Sequence, residues 1–198
     1  MSHQIRRARA SDLDAAARLL AAAFDSYPWT RWALPEDGYA DRLVKIQLLY
    51  LSHALDHGIV LVDAQLSAVA AFLPADTPQP SDQMQQRVAE LHGDRLSMLA
   101  ELSLPPAPAG AWTLETVGVD PARQGTGLGT AVTTAGLGMM DGRAATVALE
   151  TSDERNVRLY RRLGFAVAAT TAIPGGPTVV SMTRTPRADG ADFRHRVR

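Results

Sequence analysis

Two short stretches carry groups suited to chemistry. The first is R-Q-G-T-G-L-G-T, Arg123 to Thr130, in which Gly125, Gly127 and Gly129 alternate behind Arg123 and Gln124. Glycines so spaced leave backbone N–H groups free to wrap an anion, and Arg123 adds charge. The second is L-E-T-S-D-E-R-N-V-R-L-Y-R-R-L-G-F, residues 149–165, which brings Glu150, Asn156 and Tyr160 into one short span. A carboxylate can take a proton and a phenol can give one, the two halves of general acid–base work.

The anion is the first question. A phosphate loop of the G-x-x-x-x-G-K-[ST] type needs a lysine, and none follows these glycines, so ATP binding by that route is excluded. A dinucleotide fingerprint needs G-x-G-x-x-G. Gly125-Thr126-Gly127 would begin it, but Thr130 stands where the third glycine belongs. The remaining possibilities are a nest of amides at a helix N-terminus that holds a pyrophosphate, or a tight turn that holds nothing.

Composition narrows the field. The 198 residues suit one domain with a real core, and 46% hydrophobic with 21% charged residues is ordinary for a globular chain. A net charge of −1 gives no electrostatic case for nucleic acid. With no cysteine, disulfides, thiolate catalysis and cysteine-based metal sites are out. The start M-S-H-Q-I-R-R lacks the apolar region of a signal peptide and no run is long enough to span a bilayer, so a cytoplasmic protein without membrane contact is expected. His53 and His57 stand at i, i+4, but no third ligand is evident and they read as helix-surface residues, so no metal is expected.

The elements that must position the chemistry can be read from periodicity. Ile5 to Arg9 alternates as a first strand. Ser11, with Asp14 three residues on, reads as a capping start for a helix over 12–25, where Leu13, Ala17, Leu20 and Phe24 recur at helical spacing. Y-P-W-T-R-W-A-L-P interrupts it, and a second helix runs from about Gly38 to His57, with Gly58 as its C-cap. Ile59–Val62 and Leu66–Leu73 form a hairpin around Asp63–Gln65. After a Pro-rich loop at 74–81, Met84, Val88, Leu91, Met98 and Leu102 mark a helical stretch split at Gly93. L-P-P-A-P-A-G, 104–110, can only be a connector. Then come a strand (111–119), the glycine loop, a helix (about 127–140), a strand (146–150), a helix (about 154–163) and two strands (165–171 and 178–183). Residues 1–185 thus read as one domain. The Arg-rich residues 186–198 read as a flexible tail.

With the elements in order, a resemblance appears. Gln124-Gly125-Thr126-Gly127-Leu128-Gly129 fits Q/R-x-x-G-x-G/A, and the helix with Asn156, Tyr160 and L-G-F follows at the right remove. Together they resemble the acetyl-CoA motifs of the GNAT superfamily of N-acetyltransferases. E-T-S-x-x-R-N-x-x-x-Y-x-R-L-G-F, A-W-x-L-x-T-V-G-V and the S-M-T-R-T-P ending are similar to puromycin N-acetyltransferases in particular. The resemblance implies an α/β (α+β) fold: a central mixed, mostly antiparallel sheet of six to seven strands, splayed between strands 4 and 5 and flanked by helices. It also implies acetyl-CoA as cofactor, a small-molecule amine as acceptor and, as in many relatives, a homodimer.

By the same resemblance, Arg123, Gln124, Gly125, Thr126, Gly127, Leu128, Gly129 and Thr130 cradle the pyrophosphate. Val117, Gly118 and Val119 pair with the pantetheine arm, one of their amides holding the oxyanion, and a glycine bulge at V-G-V is what frees them. Asn156 touches the cofactor, and Tyr160 is the general acid for the departing thiolate. Two carboxylates compete for the role of base, Glu150 ahead of Glu115. Phe24, Tyr27, Trp29, Trp32 and Tyr39 are five of the chain's eleven aromatics, and they either wall the acceptor pocket or plug the open end of the core. Tyr27, Trp29 and Trp32 are the candidates for acceptor contact. The alternatives to a small-molecule enzyme are a peptide N-acetyltransferase of the same fold and a non-catalytic acyl-CoA sensor. A dinucleotide-dependent oxidoreductase is the weakest rival.

Overall fold

Residues 3–187 are described in the computed structural model; most of the expected tail, from position 188 on, lies outside the described residues. Seven strands form one sheet: β1 (Ile5–Arg7), β2 (Ile59–Asp63), β3 (Ala68–Leu73), β4 (Trp112–Val119), β5 (Val147–Thr151), β6 (Ala166–Ala172) and β7 (Thr178–Arg184). Their spatial order is β1-β2-β3-β4-β5-β7-β6, and β4 with β5 is the parallel pair among antiparallel neighbours. The helices are α1 (Leu13–Ala23), α2 (Pro28–Ala33), α3 (Tyr39–His57), α4 (Asp82–His92), α5 (Leu96–Ala100), α6 (Leu128–Asp141) and α7 (Glu154–Arg162). This is the expected GNAT fold.

Two local expectations are corrected. Ser11 does not cap the first helix. A single 3₁₀ turn, Ala10–Asp12, precedes it, and the Asp12 carboxylate accepts from the Arg9 N–H and from the Arg6 guanidinium. The Pro-aromatic stretch is not merely a break: Pro28 opens α2, because proline at the first helical position gives up no needed N–H.

The sheet's defining feature lies at its centre. β4 pairs with β5 only through Trp112–Val147 and Thr113–Ala148. Beyond Thr113, β4 continues along β3, while β5 continues along β7 as far as Thr151–Val180. The edge of β4 that faces β5 therefore has no strand partner from Leu114 to Val119, and Gln124 Nε2 donates to Val119 O at 3.4 Å. A bulge accompanies the divergence, since Ala71 faces Thr116 and Phe72 faces Leu114, which leaves Glu115 as the extra residue. The expected bulge at Gly118 is thus misplaced: Gly118 stands in regular register opposite Val69.

Both faces are covered closely. α6 packs on β3 where Gly136 meets fully buried Phe72; a Cβ there would lie 2.2 Å from the ring. On the other face Gly118 admits α1, since a Cβ would fall 2.5 Å from Leu20 Cδ2. The α6 core gathers Phe72, Leu128, Val132, Met140 and Met182. The α1–α3 core gathers Leu20, Leu51, Val62 and Val69.

The end of α6 is tied to β7 by charge. Arg184 donates two bonds of 2.8 Å to the Asp141 carboxylate, which also accepts from the Arg187 N–H. Arg184 is 4% exposed, and its guanidinium holds the Asp141 carboxyl below its ordinary range. Asp141→Ala strands a buried guanidinium and should cost about 3–5 kcal/mol in urea unfolding at neutral pH. Because the folded carboxyl is depressed, the wild type should keep this stabilisation above the ordinary carboxyl range and lose it as pH falls through the folded value. The gap between wild type and variant should accordingly narrow in acid.

Candidate active site

The divergence of β4 and β5 opens a cavity of about 730 Å³. Thr113 to Val117 of β4 form one side and Ala148 to Thr151 of β5 the other. Gln47 and Tyr50 of α3, Asn156 and Tyr160 of α7, and the Pro105–Pro108 connector complete the walls. The connector has the expected place in the chain, and its service as a wall is new.

The glycine loop lies past the Val119 end of β4. Asp120 starts it, its carboxylate accepting from the Ala122 N–H and its carbonyl from the Arg123 N–H. Gly125 at φ +77° and Gly127 at φ +86° then take the left-handed backbone that side chains resist. Among the described residues nothing accepts from the backbone N–H groups of Gln124 to Thr130; the next amide, Ala131, resumes helical bonding to Gly127 O. Such a run of free donors at a helix N-terminus suits an anion. Arg123, Gln124, Thr126 and Thr130 are exposed and Leu128 is buried as the anchor. Gly129 serves packing: a Cβ would sit 3.3 Å from Val119 Cγ2. One neighbour is unforeseen, as His3 Nε2 donates to Thr126 O at 3.2 Å.

Inside the cavity two carboxyls face the gap. Glu115 and Glu150 are accessible to water yet recessed among protein atoms. Burial pushes both above the ordinary carboxyl value, and the charge of Glu150 pushes Glu115 further. The Ser181 hydroxyl donates to Glu150 Oε1 at 3.4 Å and pulls the other way, favouring its ionised form. The bulge of β4 falls at Glu115 itself, within the stretch that lines this space. No lining residue among those described is Lys, Arg or His.

Tyr160 closes the cavity from α7, 7% exposed, with its ring edge against Phe165 at 5.7 Å between centroids. Burial, reinforced by nearby Tyr27, pushes its phenol up, so it stays protonated across the physiological range. No described residue hydrogen-bonds its hydroxyl. Asn156, one turn earlier, lines the same space. Across from them burial raises the Tyr50 phenol to about 12, with the Glu115 charge adding to the rise.

The aromatics divide between both expected roles. Tyr27 accepts from the Ser152 N–H at 2.8 Å and bonds Thr151 Oγ1 at 3.0 Å, fastening the α1–α2 turn to the end of β5. Phe24, Tyr27 and Trp29 line the cavity. Trp32 does not; it lies against Gly176 in the β6–β7 turn, where a Cβ would come within 2.8 Å of its ring. Tyr39 is core, its hydroxyl donating to Thr30 Oγ1 under the Arg31 guanidinium. The His53 and His57 rings lie 4.7 Å apart and tilted by 56°, and no group of three potential metal ligands occurs among the described residues. No helix among them is long and apolar enough to cross a membrane.

Gln47, Tyr50 and Ser181 escape sequence reading. The first two sit on a helix whose periodicity explains them as core, and Ser181 is one of several small polar residues in β7.

Residues 27–165 match the model of the acetyltransferase (GNAT) family. Mycothiol acetyltransferase of Mycobacteroides abscessus is 47% identical over 62 residues, 30% of this chain and 21% of that protein, so the match spans about a fifth of the relative's length. Among solved structures, a Corynebacterium glutamicum protein described as histone acetyltransferase HPA2 and related acetyltransferase superposes with a TM-score of 0.75 at 21% identity, covering 94% of this chain and 98% of that one. Arylalkylamine N-acetyltransferase 2 of Aedes aegypti superposes with a TM-score of 0.66 at 10% identity, covering 93% and 99%. These two likenesses are of fold.

The raised Glu115 carboxyl has a testable sign. A carboxyl that is harder to ionise folded than unfolded costs stability once pH exceeds the ordinary carboxyl value. Glu115→Gln should therefore raise Tm at pH 7, and the gain should vanish as pH falls below about 4, where both states hold the proton. Thermal melts across that range measure it; a Tm gain that persists in acid would mean the charge is not its source.

Proposed function

We infer, for a chain that belongs to the acetyltransferase (GNAT) family, that this acyltransferase moves an acetyl group from acetyl-CoA to the amine of a small molecule by direct attack in a ternary complex. One observation carries the reading: a single gap has unclaimed amide donors beyond one end and two carboxyls with a buried phenol within it.

The residues fit the cofactor. The amides from Gln124 to Thr130, with Arg123, would hold its pyrophosphate. The unpaired edge of β4, including Val117, Gly118 and Val119, would take the pantetheine amides, and Asn156 would contact the arm. Acetyl-CoA supplies a thioester whose carbonyl carbon accepts a nucleophile. A β4 amide directed at that carbonyl oxygen would be worth roughly 3 kcal/mol, as single oxyanion donors are in other enzymes.

The chain's own groups would handle the protons. An alkylamine arrives mostly as ammonium, and the acidic cavity attracts it. Glu150, whose ionised form the Ser181 hydroxyl favours, would take its proton directly or through water and free the lone pair. As the C–N bond forms and the C–S bond breaks, Tyr160 would give its proton to the departing sulfur, and the second proton shed by the nitrogen would return to the phenolate through water. A phenol kept protonated by burial suits that role. Glu115, whose carboxyl the Glu150 charge also pushes up, would ionise more readily once the acceptor's ammonium sits beside it and would share that positive charge. Walls from eight parts of the chain line the cavity, which suits a compact amine better than an extended peptide.

Thiol release from acetyl-CoA across puromycin, aminoglycosides, alkylamines and peptides tests the activity. Tyr160→Phe should lower kcat about 100-fold with acetyl-CoA affinity intact by calorimetry. Glu150→Gln should flatten the acid limb of kcat/KM, because loss of the base form is what makes the wild type fall below the raised carboxyl value. Unchanged turnover in either variant would remove that residue from its role. Release from no acceptor despite tight acetyl-CoA binding would favour a sensor.

The loop is tested separately. Gly127→Val forces a branched side chain into left-handed backbone, and acetyl-CoA affinity should drop at least tenfold in a protein still folded by circular dichroism. Retained affinity would leave the loop as a turn.

A further inference from the structure

A second cavity of about 450 Å³ lies between α2, α3, α4 and α5. Trp29, Thr30, Gln47 and Tyr50 line it and also line the catalytic cavity, so the two spaces share one wall. Past that wall the surface is hydrocarbon, supplied by Leu34, Leu43, Ile46, Val88, Leu99 and Leu102. The polar groups there are largely spent. The Thr30 hydroxyl donates to the Phe24 and Tyr27 carbonyls, and His92 Nδ1 donates to Ala33 O at 2.8 Å. Burial holds the His92 ring down in pKa, so it stays neutral. No lining residue among those described is Lys, Arg, Asp or Glu. Leu96, an exposed large apolar residue at 40%, also lines this chamber.

An acidic space without a cation thus adjoins an apolar space without a charge. We propose that the two form one bipartite acceptor site, in which Glu115 and Glu150 receive the ammonium of an amphipathic amine and the side chamber receives its alkyl or aryl body. The assignment rests on the acetyl-transfer reading of the catalytic cavity and adds the class of acceptor. Charge complementarity selects the occupant: a polycationic sugar has no apolar body for the chamber, and an acidic peptide meets two carboxyls of its own sign. Each buried methylene is worth about a fourfold gain in affinity.

The test is a series of primary n-alkylamines, from ethylamine to octylamine, followed by thiol release with acetyl-CoA. In parallel, octylamine binding to the enzyme alone is followed by calorimetry. kcat/KM should climb severalfold per added methylene until the chamber is full. Leu99→Trp, which fills the chamber, should cut the octylamine-to-ethylamine ratio of kcat/KM at least tenfold and weaken octylamine binding. Val88→Phe repeats the test should the first variant fail to fold. Turnover independent of chain length, or an unchanged ratio in a folded variant, overturns the chamber and leaves acetyl transfer standing. Octylamine binding that the variants weaken, with no amine turned over, upholds the chamber and sinks the acetyl-transfer reading.

Discussion

Two strands that pair through two residues each and then part are the constraint on which the molecule turns. Had β4 and β5 stayed in register past Thr113 and Ala148, ladder hydrogen bonds would have consumed the backbone groups of Leu114 to Val119, and the cavity would not exist. A sheet tolerates such a wedge only if each diverging strand keeps a partner on its other side, since a strand with no partner leaves a row of unpaired N–H and C=O groups. β3 does this for β4, and β7 does it for β5. The bulge at Glu115 adds twist where the strands separate, as bulges do.

Several ties outside the sheet hold the wedge at its width. Tyr27 bonds Ser152 and Thr151 at the far end of β5, so the α1–α2 turn and the β5 terminus move as one. Arg184 fixes β7, and with it β5, to the end of α6 through Asp141. α6 is itself seated by Gly136 over Phe72, and its N-terminus presents the glycine loop. The loop's position relative to the carboxyls is therefore a consequence of core packing on β3 and β4. Its own glycines supply only its local conformation.

What could be read from the sequence follows the range of the interactions involved. The glycine loop, α6 and α7 are encoded by residues close together in the chain, and periodicity with glycine placement was enough. α2 was missed because Pro28 signals both a break and a helix start, and only the tertiary setting decides. T-V-G-V offers a glycine and so points to a bulge at Gly118, whereas Glu115 carries no such mark; register against β3 places the bulge at Glu115. Trp32 looks like Trp29 by composition and its ring touches that of Trp29 at 5.5 Å between centroids, yet it lies against Gly176 and only Trp29 reaches the cavity. Gln47 and Tyr50 carry no local mark, since their meaning comes from what α3 faces across the fold.

The carboxylates separate structure from chemistry. Asp12, Asp141 and Asp153 each bond an arginine, and each is held below its ordinary pKa, Asp12 at about 2. Asp12 and Asp141 tie separate elements together, Asp153 caps α7 locally, and all three charges are compensated within the fold. Glu115 and Glu150 are shifted the other way, face the same cavity and have no cationic side chain among its described walls. Folding alone gives no reason to recess two like charges in one cavity without a partner, since partial desolvation and mutual repulsion both penalise them. A compensating cation must come from outside the chain, and under the proposed reading the acceptor's ammonium is that cation. The site would then be most complementary to the acceptor before proton transfer. Once Glu150 takes the proton, the nitrogen loses its charge and one of the two carboxylates loses its own, so the attraction that brought the amine in relaxes as it becomes a nucleophile. An uncharged amide product would retain little of that attraction, which favours its release.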